Sequence, residues 1–151
     1  MGLTGKLIAA IEFKHGGDVF HDLFKQRPHE IANASPLVHG FELHQGELGK
    51  AGSVVSWHYT HDGKRKIAKQ IIQKIDEETK SMEFKMIEGD LMEDFKDFLI
   101  VFHIETKNNI DLVTWTLDYE MLHEDVVHPT TLLAYFIEVT KDIEAHHDNK
   151  P

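Results

Sequence analysis

The segment from His128 to His147 limits this chain most, because it is the one long stretch with helical periodicity and nearly everything before it reads as strand. Pro129 stands where a first helical turn tolerates proline, and Leu132, Leu133, Phe136, Val139, Thr140 and Ile143 then fall on one face. Glu138, Lys141, Asp142 and Glu144 take the other face. The product is an amphipathic helix of about five turns whose apolar stripe must be covered. Charges interrupt it too often for a membrane span. A stripe that mixes Phe136 and Leu132 with the hydroxyl of Thr140 suits a packed core or the wall of a pocket, and the pattern leaves both open.

Upstream, Leu7, Ala9, Ile11 and Phe13 alternate with a set that includes Lys6, Glu12 and Lys14, as a half-buried strand does. His15-Gly16-Gly17 breaks the strand, and Asp18 is placed to cap a short helix through Phe24. Pro28 opens a second short helical piece that ends at Ser35-Pro36. From there the chain is a succession of strands: Val38 to Gln45, the stretch holding Val55, Trp57 and Tyr59, Ile67 to Ile75, Ser81 to Ile87, Phe98 to Ile104, and Val113 to Tyr119. Asp62-Gly63 is a strong hairpin signal, and Lys107-Asn108-Asn109 is a second turn. Strand, two short helices, six strands and a long helix make an α+β arrangement: one antiparallel sheet with its helices on one side.

A length of 151 residues suits a single domain, 1–151, with a core of its own. The 26 acidic side chains against 16 basic ones give a net charge of −10, which repels phosphate backbones and anionic lipid. Neither a nucleic-acid partner nor stable membrane insertion is therefore expected. With no cysteine, disulfides, thiol catalysis and thiolate metal sites are excluded. The opening residues Met1 to Lys6 carry no secretory signal pattern, and Lys6 stands where a myristoylation motif needs Ser or Thr. The expected location is cytoplasmic.

The glycines of Gly46 to Gly52 could suggest a phosphate cradle, but the loop lacks the Gly-Lys-Ser/Thr ending and joins two strands instead of opening a helix. It is read as a tight hairpin element or a flap beside the cavity. Of the 12 histidines, His58 with His61 and His146 with His147 come nearest a metal pattern. Their placement near a turn and at a terminus makes them solvated side chains instead, so no metal and no cofactor is expected.

Several stretches, taken together and in order, resemble the major latex protein family, a plant branch of the Bet v 1-like superfamily. They are Gly5-Lys6-Leu7, the run Gly49 to Trp57, the run Glu88 to Lys96, the run Val113 to Glu120, and the run Val139 to His146. The resemblance implies a helix-grip fold: a seven-stranded antiparallel sheet and two short helices in a V, with the C-terminal helix over a hydrophobic cavity. It also implies hydrophobic-ligand binding and a role in plant defence or stress.

With that fold in view, the inward registers nominate a set of candidate ligand-binding residues. Phe13, Phe24, Val55, Trp57 and Tyr59 come from the first half of the chain, with Lys69, Ile71, Phe84 and Met86 after the hairpin. Phe98, Ile100, Phe102 and Trp115 come from the last strands, and Leu132, Phe136, Val139 and Thr140 from the helix. Aromatic and methionine side chains commonly line apolar pockets. Lys69, Gln73, Tyr59 and Tyr119 are the polar groups nominated for an enzymatic alternative, condensation or isomerisation of a hydrophobic metabolite. No catalytic set is assigned, and the first expectation is a carrier of a hydrophobic or amphipathic small molecule. A loop at Gly46 to Gly52 and the segment Gly89 to Phe95 are expected to frame its mouth.

Overall fold

The structure is a computed structural model that describes residues 3–148; Met1, Gly2 and residues 149–151, and with them the myristoylation reading of Gly2, lie outside the described residues. Seven strands form one sheet in the order β1-β7-β6-β5-β4-β3-β2. They are β1 Thr4–Phe13, β2 Val38–Gln45, β3 Val54–His61, β4 Lys64–Asp76, β5 Ser81–Gly89, β6 Phe95–Lys107 and β7 Ile110–Met121. Every pairing is antiparallel. The helices are α1 Gly17–Gln26, α2 Ile31–Ala34 and α3 Thr130–Asp148, with 3-10 turns at Pro28–Glu30 and Asp90–Glu93.

Strands β2 to β7 form a meander, while β1 pairs with β7, so the chain must cross the sheet from one edge to the other between β1 and β2. The two short helices make that crossing. Asp62 and Gly63 have φ of 53° and 74°, and Asn108 and Asn109 have φ of 53° and 66°. Both hairpins thus use the left-handed residue pairs that match the twist of the flanking strands. The start of α1 differs from expectation: Gly16 caps it without a side chain, and Gly17 N–H donates instead to Asp111 Oδ2 of β7 at 2.9 Å. Asp18 lies one step inside, paired with Lys80 at 3.6 Å. A carboxylate still neutralises the positive end of the helix, but it arrives from the far end of the sequence.

The inner face of the sheet meets α3 through Leu132, Val139, Thr140 and Ile143, all buried. Under α1 the space is filled by interlocking rings. Phe20 lies 5.3 Å from Phe102, Phe24 lies 5.1 Å from Phe102, and Phe102 lies 5.3 Å from Trp115. Ser35 Oγ donates to Asp142 Oδ2 at 2.6 Å and fastens α2 to α3.

The register of β4 corrects one expectation. Residues directly opposite in an antiparallel pair share a face. Trp57 pairs with Ala68 and Val55 with Gln70, so the inward Trp57 carries Ala68, Gln70 and Ile72 inward with it. Lys69 and Ile71 therefore point away from the helix. Lys69 binds Glu88 Oε2 at 3.0 Å on the outer face, and Ile67 is 49% exposed. Among the described residues no helix is long and apolar enough to cross a membrane.

Candidate functional site

Between the sheet and the N-terminal half of α3 the side chains leave a partly open hollow. It gives the centres of water-sized molecules about 50 Å³ of room, within about 570 Å³ of unfilled space that includes its open side. A single water needs roughly 10–15 Å³ by the first measure, and pockets for small molecules run to roughly 300–1,000 Å³. The hollow is thus larger than a packing defect and narrow for a large guest.

The sheet contributes Trp57, Tyr59, Phe84, Met86, Ile100 and Trp115 to its wall, and the helices contribute Phe24, Leu132, Phe136 and Val139. All of these carry apolar surface that the sequence pattern pointed inward. Other nominated residues lie elsewhere. Phe13, Phe102 and Val55 are buried but filled in by neighbours, Phe102 beneath α1 as described. Phe98 stacks on Tyr119 at 5.8 Å, toward Phe95, away from the hollow. Thr140 stands behind the wall and holds it, as shown below. Lys69 and Ile71 face outward, so the enzymatic reading loses its nominated basic group. Gln73 is exposed, and Tyr119 is engaged by His128 Nδ1 at 2.5 Å.

Residues the pattern did not nominate complete the wall: Ile31, Val38, Ala68, Gln70, Leu91 and Tyr135. Tyr135 had a signal, standing three residues after Leu132 and four before Val139. Leu91 comes from the 3-10 turn within the Gly89 to Phe95 segment expected at the mouth. The glycine loop does not line the hollow. Its Ser53 Oγ accepts from Glu47 N–H at 3.0 Å and donates to Glu47 O at 2.7 Å, and Gly49 packs against the Gln26 side chain.

The polar groups of the wall are few. Trp115 Nε1 donates to Thr140 Oγ1 at 2.9 Å, which in turn donates to the Phe136 carbonyl at 2.8 Å, and the two rings stack at 4.5 Å. Trp57 Nε1 donates to Gln70 Oε1 at 3.0 Å. Since indole can only donate, that bond fixes the amide so that its nitrogen faces Met86 Sδ, a weak acceptor at 3.4 Å. Tyr59 is 4% exposed and its hydroxyl has no partner. Burial, reinforced by the negative charge of Asp90, pushes its phenol well above the ordinary range. Tyr135, with ring centroid 5.5 Å from that of Tyr59, is raised in the same way by burial and then by Tyr59. No Lys, Arg, His, Asp or Glu lines the hollow among the described residues. Nor, among the described residues, do three His, Asp or Glu side chains converge as a metal would require.

Known proteins share this sequence and fold. The pathogenesis-related protein Bet v 1 family matches residues 2–149. MLP-like protein 43 of Arabidopsis thaliana is 41% identical over 95% of this chain and 93% of its own length. Some relatives are longer, and the chain spans 44% of MLP-like protein 28 of the same plant. The crystal structure of ginseng major latex-like protein 151 from Panax ginseng superposes with a TM-score of 0.94 at 52% identity, covering 97% of this chain and 99% of that one. A START superfamily protein from Mycobacterium smegmatis shares the fold alone, with a TM-score of 0.72 at 12% identity over 93% of this chain and 95% of that one. By sequence and by fold, the chain belongs to the pathogenesis-related protein Bet v 1 family, within its major latex protein branch.

Proposed function

We propose that the protein binds and carries a hydrophobic or amphipathic small molecule in the hollow between its sheet and α3. The observation that carries this reading is an unfilled apolar space, walled by aromatic and methionine side chains, in a fold that otherwise packs its core closely. Each square ångström of guest surface taken from water contributes roughly 25 cal/mol, so a small apolar guest gains enough to bind without any ionic contact. Membership in a family named for pathogenesis-related proteins supports a role in plant defence or stress. A cytoplasmic location and a single folding unit over 1–151 belong to the same proposal; imaging of a fluorescent fusion and a single cooperative melt test them.

Trp57 and Trp115 both line the hollow, so saturable quenching or shift of their emission by a hydrophobic ligand is the direct test. The expected result is saturation at one ligand per chain with the ligand recovered unchanged. Titrations that never saturate, across probes of graded size, defeat the carrier reading. Recovery of an altered ligand moves the function to the enzymatic class, without Lys69 as its base.

A further inference from the structure

We propose that the guest is uncharged and carries one hydrogen-bond-accepting oxygen, a ketone, ether or alcohol, which is bound by the Tyr59 hydroxyl. This rests on the carrier reading above and names the ligand class for that same hollow. Three observations lead to it. First, Tyr59 is the one residue among those described whose buried side-chain oxygen or nitrogen lacks a partner, and it sits on the wall of the hollow. A buried hydroxyl without a bond is a standing cost that native proteins rarely keep, so its retention at this wall points to a partner that comes and goes. Second, the indole and amide groups of the wall are already engaged, Trp57 Nε1 with Gln70 Oε1, Gln70 Nε2 with Met86 Sδ and Trp115 Nε1 with Thr140 Oγ1, whereas the Tyr59 hydroxyl is not.

Third, the surroundings disfavour charge. The wall holds no cation, the Asp90 carboxylate acts on the phenol with the sign that opposes an anion, and the chain as a whole carries −10. A carboxylate placed at Tyr59 would lose its hydration without a counter-charge. A cation would meet donors where it needs acceptors. Arg65 and Lys66 stand in a neighbouring groove that also touches Tyr59, and an anion that reached them would bind there instead; the test includes a ligand to reveal this.

The test compares naphthalene, 2-acetylnaphthalene and 2-naphthoate, which share one ring system and differ in the polar group, by equilibrium dialysis against the wild-type protein and Tyr59→Phe. The variant removes only an unpaired oxygen, and its melt confirms that it folds. In the wild type the ketone is expected to bind about tenfold more tightly than naphthalene, the worth of one buried hydrogen bond in an apolar site, and naphthoate more weakly than the ketone. In Tyr59→Phe the advantage of the ketone falls to about twofold or less while naphthalene binds as before. A ketone advantage that survives in Tyr59→Phe overturns the assignment of Tyr59, and naphthoate as the tightest ligand overturns the uncharged class. Equal binding of ketone and naphthalene by the wild type overturns the oxygen subsite and leaves the carrier reading standing. Binding of none of the three overturns both.

Discussion

The wall of the hollow depends on one hydrogen bond whose removal has a calculable cost. Trp115 and Thr140 are 1% and 0% exposed, and the indole N–H has Thr140 Oγ1, at 2.9 Å, as its acceptor. Thr140→Val keeps the shape and deletes that acceptor. An indole N–H left dry and unpaired costs about 1–3 kcal/mol. Two smaller effects oppose this: the new methyl adds up to about 0.8 kcal/mol of apolar burial, and losing the back-bond from Thr140 to the Phe136 carbonyl relieves the helix slightly. The balance is a net loss of about 1–2 kcal/mol. With a urea slope of roughly 1–3 kcal/mol per molar for a small domain, the midpoint should fall by roughly 0.3–2 M with the slope unchanged. The bond itself is isolated by repeating the substitution in Trp115→Phe, which has no indole to orphan; there Thr140→Val should cost nothing or stabilise, giving a coupling of about 1–2 kcal/mol. Thr140→Val at wild-type stability, or with the same cost in both backgrounds, refutes the reasoning that this bond holds the Trp115–Phe136 stack in place.

Tyr59→Phe should raise the stability of the ligand-free protein by about 1–3 kcal/mol in the same urea assay, because it removes a buried hydroxyl with no partner; a loss would mean that the hydroxyl is bonded. Lys69→Ala should change stability by less than about 1 kcal/mol and leave naphthalene binding within about twofold, since the Glu88 pair lies on the outer, partly exposed face. Gly89→Ala should cost at least about 1–3 kcal/mol from its backbone alone, with φ of 125°, and more because the new Cβ would stand 2.2 Å from the Ile67 carbonyl oxygen; a shift in melting temperature measures it. Burial holds His21 below its ordinary 6.5, against the pull of the Ser81 carbonyl and Glu77, so the folded state takes up a proton less readily than the unfolded one. That contribution is complete above about pH 6.5 and is lost as the pH falls below it toward the lowered folded value. Urea midpoints between about pH 7.5 and 5 should therefore fall with acid, and His21→Gln should flatten the slope; an unchanged slope refutes the assignment.

The architecture was legible because its signals were strong and local. Asp62-Gly63 can hardly be anything but a hairpin, alternation of Phe98, Ile100, Phe102 and Ile104 can face only one way, and a single amphipathic helix has only the sheet to cover its stripe. The site was less legible, for a reason visible in β4. Its sequence Ile67-Ala68-Lys69-Gln70-Ile71-Ile72 offers apolar residues in both registers, and the choice between them is made by pairing with β3, across the hairpin, where Trp57 opposes Ala68. Choosing the odd register placed Lys69 inside and Gln70 outside, and so put a basic group on the wall where an amide stands. The cap on α1 failed to show for a similar reason: Asp111 is distant in sequence and near only because β7 runs beside β1. Alternation also distinguishes inside from outside but not filled from hollow. Phe98 and Phe102 face inward as expected, yet their neighbours occupy the space around them.

What separates hollow from core in this fold is the size of the side chains that meet across it. Beneath α1, Phe20 and Phe24 reach Phe102 and Trp115, and ring meets ring at about 5–6 Å. Farther along the sheet, β4 presents the small Ala68 and a Gln70 drawn sideways to Trp57, and the hollow lies over them. Unfilled volume and an unpaired hydroxyl both cost folding energy, and both sit on this one stretch of wall. A guest with an apolar body and one oxygen cancels the two costs together. Binding then stabilises the fold in proportion to how much of each it removes, which is why a filled variant of the hollow and a saturated wild type should resemble each other in stability and differ in whether anything can still enter.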